Sequence, residues 1–396
     1  MPLPDPAEDA AAAFAALCGD ARWTSRIAEL DRQSQVGPLS GRAMQQRHVL
    51  ELVLARLCNH RAFARATPAE RRICAFAQEA VRLAATLPPG PRERLRERLV
   101  TGLTGGQTLI PLFHILRTAS MMRDRGFTVR FDGLASAAAH DLTISREGVD
   151  AELVCETVSA EEGRPLHRGD WYALVDAINP ELQTWLAAHP GRYLLKMTLP
   201  GGIAGPDDLA ALQQRISALL TEEKRQDASA QAVLKLDPLV LAGAQAAGAG
   251  LPARLRAQFG PEAHLAVTGD AGNGSVFVLA ARAGRENAVA EAICRRMAEA
   301  ATSRLSGRRP GILAMFVEDV ERAEWLALRE LLELEGATRR FLTTAPAASV
   351  VAVSCASRIE MFGLPDAAPE GELRFRNQAH PAAQLAALAP AVLSSP

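Results

Sequence analysis

The sequence predicts an α/β fold in which helices cover both faces of a mixed sheet, preceded by an all-helical region. Three observations predict it. Apolar residues recur at three- and four-residue spacing from about Pro6 to Leu103, the period of a helix with one buried face. From Gly126 onward, short runs of period-two alternation take over and then alternate with helical stretches. Two of those runs, HLAVTG and SVFVLAA, are joined through Gly272-Asn273-Gly274, a strong hairpin signal.

In the helical region, Met44, Val49, Leu50, Val53, Leu54 and Leu57 form the first buried stripe. Thr67-Pro68-Ala69-Glu70 then supplies an N-cap, a proline at the first helical position and an acid in the first turn. The helix it opens runs to Leu87, where Pro88-Pro89-Gly90-Pro91 stops it. RERLRERL at 92–99 is amphipathic. Its glutamates nearly cancel its arginines, so it reads as a solvated face before it reads as a nucleic-acid patch. TGLTGG at 101–106 is a hinge-like break. Residues 1–105 are therefore assigned to a helical region, 106–377 to an α/β domain and 378–396 to a loosely ordered Ala/Pro-rich tail.

Within the α/β domain, residues 107–125 form a helix with Leu109, Leu112, Phe113, Leu116 and Ala119 inward and Gly126 as its C-cap. Phe127, Val129 and Phe131 alternate on a first strand, and Leu142 and Ile144 on a second. Arg146-Glu147-Gly148 turns the chain into a third strand at 151–158. A helix from Pro165 carries Trp171, Leu174, Val175 and Ile178, and Asn179-Pro180 separates it from a second helix. YLLKMTL at 193–199 is a buried strand, expected parallel to its predecessor through a right-handed crossover. Further expected elements are a helix at 206–224, a strand at 233–236, the hairpin, a helix at 286–305, a strand at 311–317, a helix at 323–336 and a strand at 350–355. An Ala/Gly-rich connection reaches Gly250.

The whole-chain balance excludes some classes. With 396 residues, 48% of them hydrophobic, and a formal charge of -1, the chain is an ordinary globular protein with no global field for polyanions. Lys196, Lys224 and Lys235 are its only lysines. The arginine and alanine bias fits a GC-rich, bacterial genome. Six scattered cysteines without a C-x-x-C pair read as reduced thiols of a cytoplasmic protein. The N-terminus has no basic n-region, so no secretory signal is expected, and no run suits a membrane span. P-loop, dinucleotide, nucleophile-elbow and H-E-x-x-H signatures are missing.

The stretch GFTVRFDGLASAAAHDLTISREGVDAELVCET, 126–157, carries Asp141 on one strand and a Glu152, Val154, Glu156 row on the next. Helix, strand, Asp-bearing strand, acidic strand, helix is an order that resembles the core of the PD-(D/E)XK nuclease superfamily, the restriction-endonuclease-like fold. Where that pattern has Glu-x-Lys, this chain has Val154-Cys155-Glu156. The resemblance implies Mg²⁺ held by Asp141 and Glu156, where it polarises a phosphoryl oxygen and acidifies water. Lys196 would supply the missing amine; the alternative is a salt bridge between Lys196 and Glu156 in a silent site. Glu152 lies roughly 13 Å from Glu156 along a strand, too far to share an ion.

The run TVSAEEGRPLHRGDWY at 157–172 implies phosphate contacts by Arg164, His167 and Arg168, against the plainer reading of a surface loop and helix cap. His114 and His140 are weaker candidate ligands. Arg295-Arg296, Arg304 and Arg308-Arg309 cluster around one helix end, as a phosphate-backbone patch or as solvated charge. The expected function is a divergent, catalytically silent member of that fold, binding DNA, RNA or a protein partner. The alternative is a Mg²⁺-dependent nuclease with a rearranged site.

Overall fold

The computed structural model describes residues 8–203, 205–239, 251–260, 262–270, 274–358 and 372–393. The chain forms two units: Met1–Gln33, Met44–Ala160 and Ala290–Pro396 make the first, Ser34–Ala43 and Glu161–Val289 the second.

The chain opens with α1 (Glu8–Cys18), α2 (Asp20–Gln33), α3 (Pro38–Arg47), α4 (Val49–Leu57), α5 (His60–Ala64), α6 (Pro68–Thr86) and α7 (Pro89–Gly102). Thr67 closes a full capping box on α6: its hydroxyl accepts the Glu70 N–H, and the Glu70 carboxylate accepts the Thr67 N–H. Next come α8 (Ile110–Asp124), β1 (Thr128–Arg130), α9 (Asp132–Ala135), β2 (Leu142–Arg146) and β3 (Val149–Ser159). Gly126 ends α8 in the left-handed region, at φ 84°.

The chain then runs through α10 (Arg168–Ala188), β4 (Arg192–Leu199), α11 (Pro206–Thr221), β5 (Gln226–Ala228), β6 (Val233–Pro238), α12 (Leu251–Phe259), β7 (His264–Asp270) and β8 (Ser275–Ala283). It re-enters the first unit through α13 (Val289–Arg304) and continues as β9 (Gly311–Glu318), α14 (Arg322–Glu330), α15 (Glu333–Phe341), β10 (Val350–Ser357) and β11 (Leu373–Arg376).

The first unit's sheet has the order β1-β2-β3-β9-β10-β11. β1, β2 and β3 are antiparallel neighbours, β9 is parallel to both β3 and β10, and β11 closes the edge antiparallel. One apolar core joins the N-terminal helices to this sheet: Phe14, Leu50, Leu95 and Phe113 share it with Leu153 and Phe316. Leu153 and Val154 point to opposite faces of β3, yet both are fully buried, so the strand lacks the alternation of a half-exposed sheet. The second unit has the sheet order β5-β6-β4-β8-β7 and its own core, centred on Trp171, Leu174, Leu195, Ile216 and Phe277.

Several expectations are corrected. β4 is not the parallel neighbour of β3. It pairs in parallel with β8, while the parallel neighbour of β3 is β9. The crossover helix between those strands is α13, and residues 161–289 intervene as the second unit rather than continuing one α/β domain. Asn179-Pro180 does not break α10, which contains Pro180. Trp171, Leu174, Val175, Ile178, Leu182 and Leu186 form one buried stripe across it, and that burial outweighs the roughly 3 kcal/mol cost of an interior proline. The helix expected at 323–336 is two, α14 and α15, separated at Leu332 with φ 57°. The C-terminal segment is not loose where it is described: Ala382, Ala383, Leu388 and Val392 are buried in the first unit's core. Gly272 and Asn273, and the Ala/Gly-rich connection from 240 to 250, lie outside the described residues.

Candidate functional site

Asp141 immediately precedes β2 and faces β3. Its backbone N–H donates to the Leu153 carbonyl at 3.1 Å, which continues the antiparallel ladder and sets its side chain beside Glu156. The carboxylate is almost wholly buried and fully engaged. Oδ1 accepts from Arg98 Nη1 at 3.1 Å, and Oδ2 accepts from the Cys155 N–H at 2.9 Å and from Arg304 Nη2 at 2.7 Å. Glu156 Oε2 accepts from Arg304 Nη1 at 2.8 Å.

Arg304, in the last turn of α13, therefore bridges the two carboxylates. Its Nε donates to the Ala139 carbonyl at 3.0 Å, and Nη1 also reaches the Cys155 carbonyl at 3.2 Å. Burial pulls the guanidinium's pKa down, but Asp141 and Glu156 more than offset this, so it stands above its ordinary value. A planar fork with both Nη atoms committed to different carboxylates holds two strands and a helix in one charge-assisted network.

This donor set does not fit Mg²⁺. That ion prefers near-octahedral oxygen ligation, whereas both carboxylates here face a guanidinium and the next strand position inward is the fully buried Val154. Among the described residues no group of three His, Cys, Asp or Glu side chains is placed to hold a metal. Glu152 is elsewhere on β3, buried, and accepts from the Ser306 N–H at 2.8 Å and the Ser306 hydroxyl at 2.5 Å.

The remaining candidates separate. Lys196 is on β4 in the second unit, ion-paired with Asp237 at 3.1 Å on adjacent β6, so the partner of Glu156 is Arg304 and not Lys196. Arg164, His167 and Arg168 also belong to the second unit. Arg164 is buried against Glu161, the Arg168 N–H donates to Glu161 at 3.0 Å, and His167 occupies the N-cap position of α10. His114 is a core histidine: Nε2 donates to the Ala314 carbonyl at 2.9 Å, and burial pushes its pKa down to about 4. His140 contacts the Thr143 hydroxyl at 3.1 Å, which donates to Asp132 at 2.6 Å.

Arg98 and Arg304 read from the sequence as solvated charge or as part of a phosphate patch, and not as the partners of Asp141 and Glu156 that they are. The single signal available for Arg98 was a stripe: Leu95 and Leu99 bury one face of α7, placing Arg98 beside it. Arg304 carried no local signal, because Asp141 lies 163 positions earlier.

Among the described residues no helix is long and apolar enough to cross a membrane. Comparison of the chain with protein-family models, curated proteins and solved structures finds no match.

Proposed function

We propose that this chain is a catalytically silent relative of the PD-(D/E)XK nucleases that binds nucleic acid without cleaving it. The observation that carries this reading is the Arg304 bridge between Asp141 and Glu156, which puts a fixed cation where such a nuclease would need open carboxylate oxygens. The first unit's order α8, β1, α9, β2, β3, resumed after the second unit by α13 and β9 with β3 and β9 parallel, supports the fold half of the reading. Partly exposed guanidiniums at Arg98 and Arg304, with exposed Arg308 and Arg309 just beyond α13, support the nucleic-acid half.

The test is fluorescence anisotropy with labelled single- and double-stranded DNA and RNA at two salt concentrations, run beside a cleavage assay in Mg²⁺. Salt-sensitive binding without turnover is expected. Arg308→Ala should weaken binding similarly for all sequences and reduce the salt slope by about one. Mg²⁺-dependent cleavage abolished by Asp141→Asn would overturn silence and establish the nuclease alternative. Lack of binding to every nucleic acid would leave a protein partner as the ligand.

A further inference from the structure

The second unit holds a cavity of about 460 Å³ that the site above does not use. It opens between the loop after β4, the N-terminal part of α11 and the turn joining β5 to β6. Leu199, Ile203, Leu212 and Ala232 line it, are buried and make an apolar floor. Gly201 and Ala211 line it too, and are exposed. Both turns that shape it are pinned. The Gly202 N–H donates to the Leu199 carbonyl at 3.1 Å, and Gly202 stands at φ 75°, where a Cβ would collide with the Pro165 carbonyl. The Ser229 N–H donates to the Ala232 carbonyl at 2.9 Å, and its hydroxyl accepts the Gln231 and Ala232 N–H groups, each at 3.2 Å. The hollow is therefore preformed.

The charges in its lining disfavour an ion of either sign. Arg215 donates through Nε and Nη2 to Asp227 at 2.7 and 2.5 Å, through Nη1 to the Ser229 hydroxyl, and through Nη2 to the Ala232 carbonyl at 3.4 Å. An anion would compete with Asp227 for that fork and would face Asp208, in the first turn of α11. A cation would face the Arg215 guanidinium. Gln231, exposed, supplies a neutral amide that both donates and accepts. An uncharged ligand with an apolar body matches this lining. The volume is about three times the roughly 150 Å³ of an apolar cavity that takes benzene, and falls within the roughly 300–1,000 Å³ of small-molecule sites.

We propose that this cavity binds a small neutral amphiphile, with its apolar body on Leu199, Ile203 and Leu212 and a carboxamide head paired with the Gln231 amide. Isothermal titration of the full chain with phenylpropanamide, phenylpropanoate and phenylpropylamine, which share a body and differ in head charge, tests it. Saturable one-site binding of the amide is expected, with both ions bound at least about tenfold more weakly. Gly201→Leu, at a position where a Cβ meets nothing within 4 Å, and Ala211→Phe place bulk in the cavity, and each should weaken the amide by about tenfold or more. Gln231→Leu removes the head-group partner and should weaken it about three- to tenfold. Ala210→Phe, at an exposed position of α11 outside the lining, should leave binding unchanged. The proposal is overturned if the amide does not bind, if either ion binds as tightly, if both bulky variants bind the amide as the wild type does, or if Gln231→Leu does.

Discussion

A carboxylate as buried as that of Asp141 is tolerated only while its charge is answered, and Arg98, Arg304 and the Cys155 N–H answer it. Removing one partner of such a pair strands the other. Arg304→Met should therefore lower stability by about 3 kcal/mol, read from the urea midpoint, and adding Asp141→Asn should recover part of the loss. A midpoint that did not move would mean that the bridge contributes nothing. His114 gives a pH signature. Its folded pKa, about 4, is below its ordinary value of 6.5, so the unfolded chain binds more protons between those limits. Its contribution is complete above about pH 6.5 and falls away as the pH drops toward 4. Thermal melts across that window should show a shallower acid loss for His114→Asn, whose amide still donates to Ala314. At this scale Asp141 and Glu156 were legible, because isolated acids in an apolar strand stand out. Arg304 was not, because an arginine at a helix end looks like any solvated charge until the strand it meets is known.

Helices and strands were mostly legible because their periods are local. The α6 start could be read residue by residue, and its capping box is present. Thr67→Ala should cost about 1 kcal/mol in chemical denaturation, since one N–H at the helix start loses its acceptor. Pro180 was misread for a physical reason: proline chemistry is local, whereas the stripe that overrides it spans the whole of α10. Pro180→Ala restores a backbone donor there and should stabilise the second unit by about 1–3 kcal/mol. An unchanged or lowered melting temperature would show that the proline is accommodated without cost.

For the molecule as a whole, the α/β class was legible and the pairing of distant strands was not. A sequence pattern identifies crossover helices but not which strand each one serves, so the first helix after β3 was assigned a crossover that belongs to α13. Two units with separate cores predict two calorimetric transitions. Leu116→Ala should lower one of them and Ile216→Ala the other, each by about 2–5 kcal/mol, because each empties a fully buried site in a different core. A single transition shifted by both variants would refute the division.

The interval between β3 and β9 also sets a schedule for synthesis. When β3 leaves the ribosome, the strand that will cover its far edge has not been made, and residues 161–289 must be translated first. At about 5–20 residues per second this takes on the order of ten seconds. Throughout that wait the nascent chain presents an apolar strand, Leu153-Val154-Cys155, with one row of backbone groups unpaired. The Arg304 that neutralises Asp141 also emerges only at the end of it. Most of the second unit is continuous in the chain and is complete by then, so the order of emergence makes the first unit the later to finish.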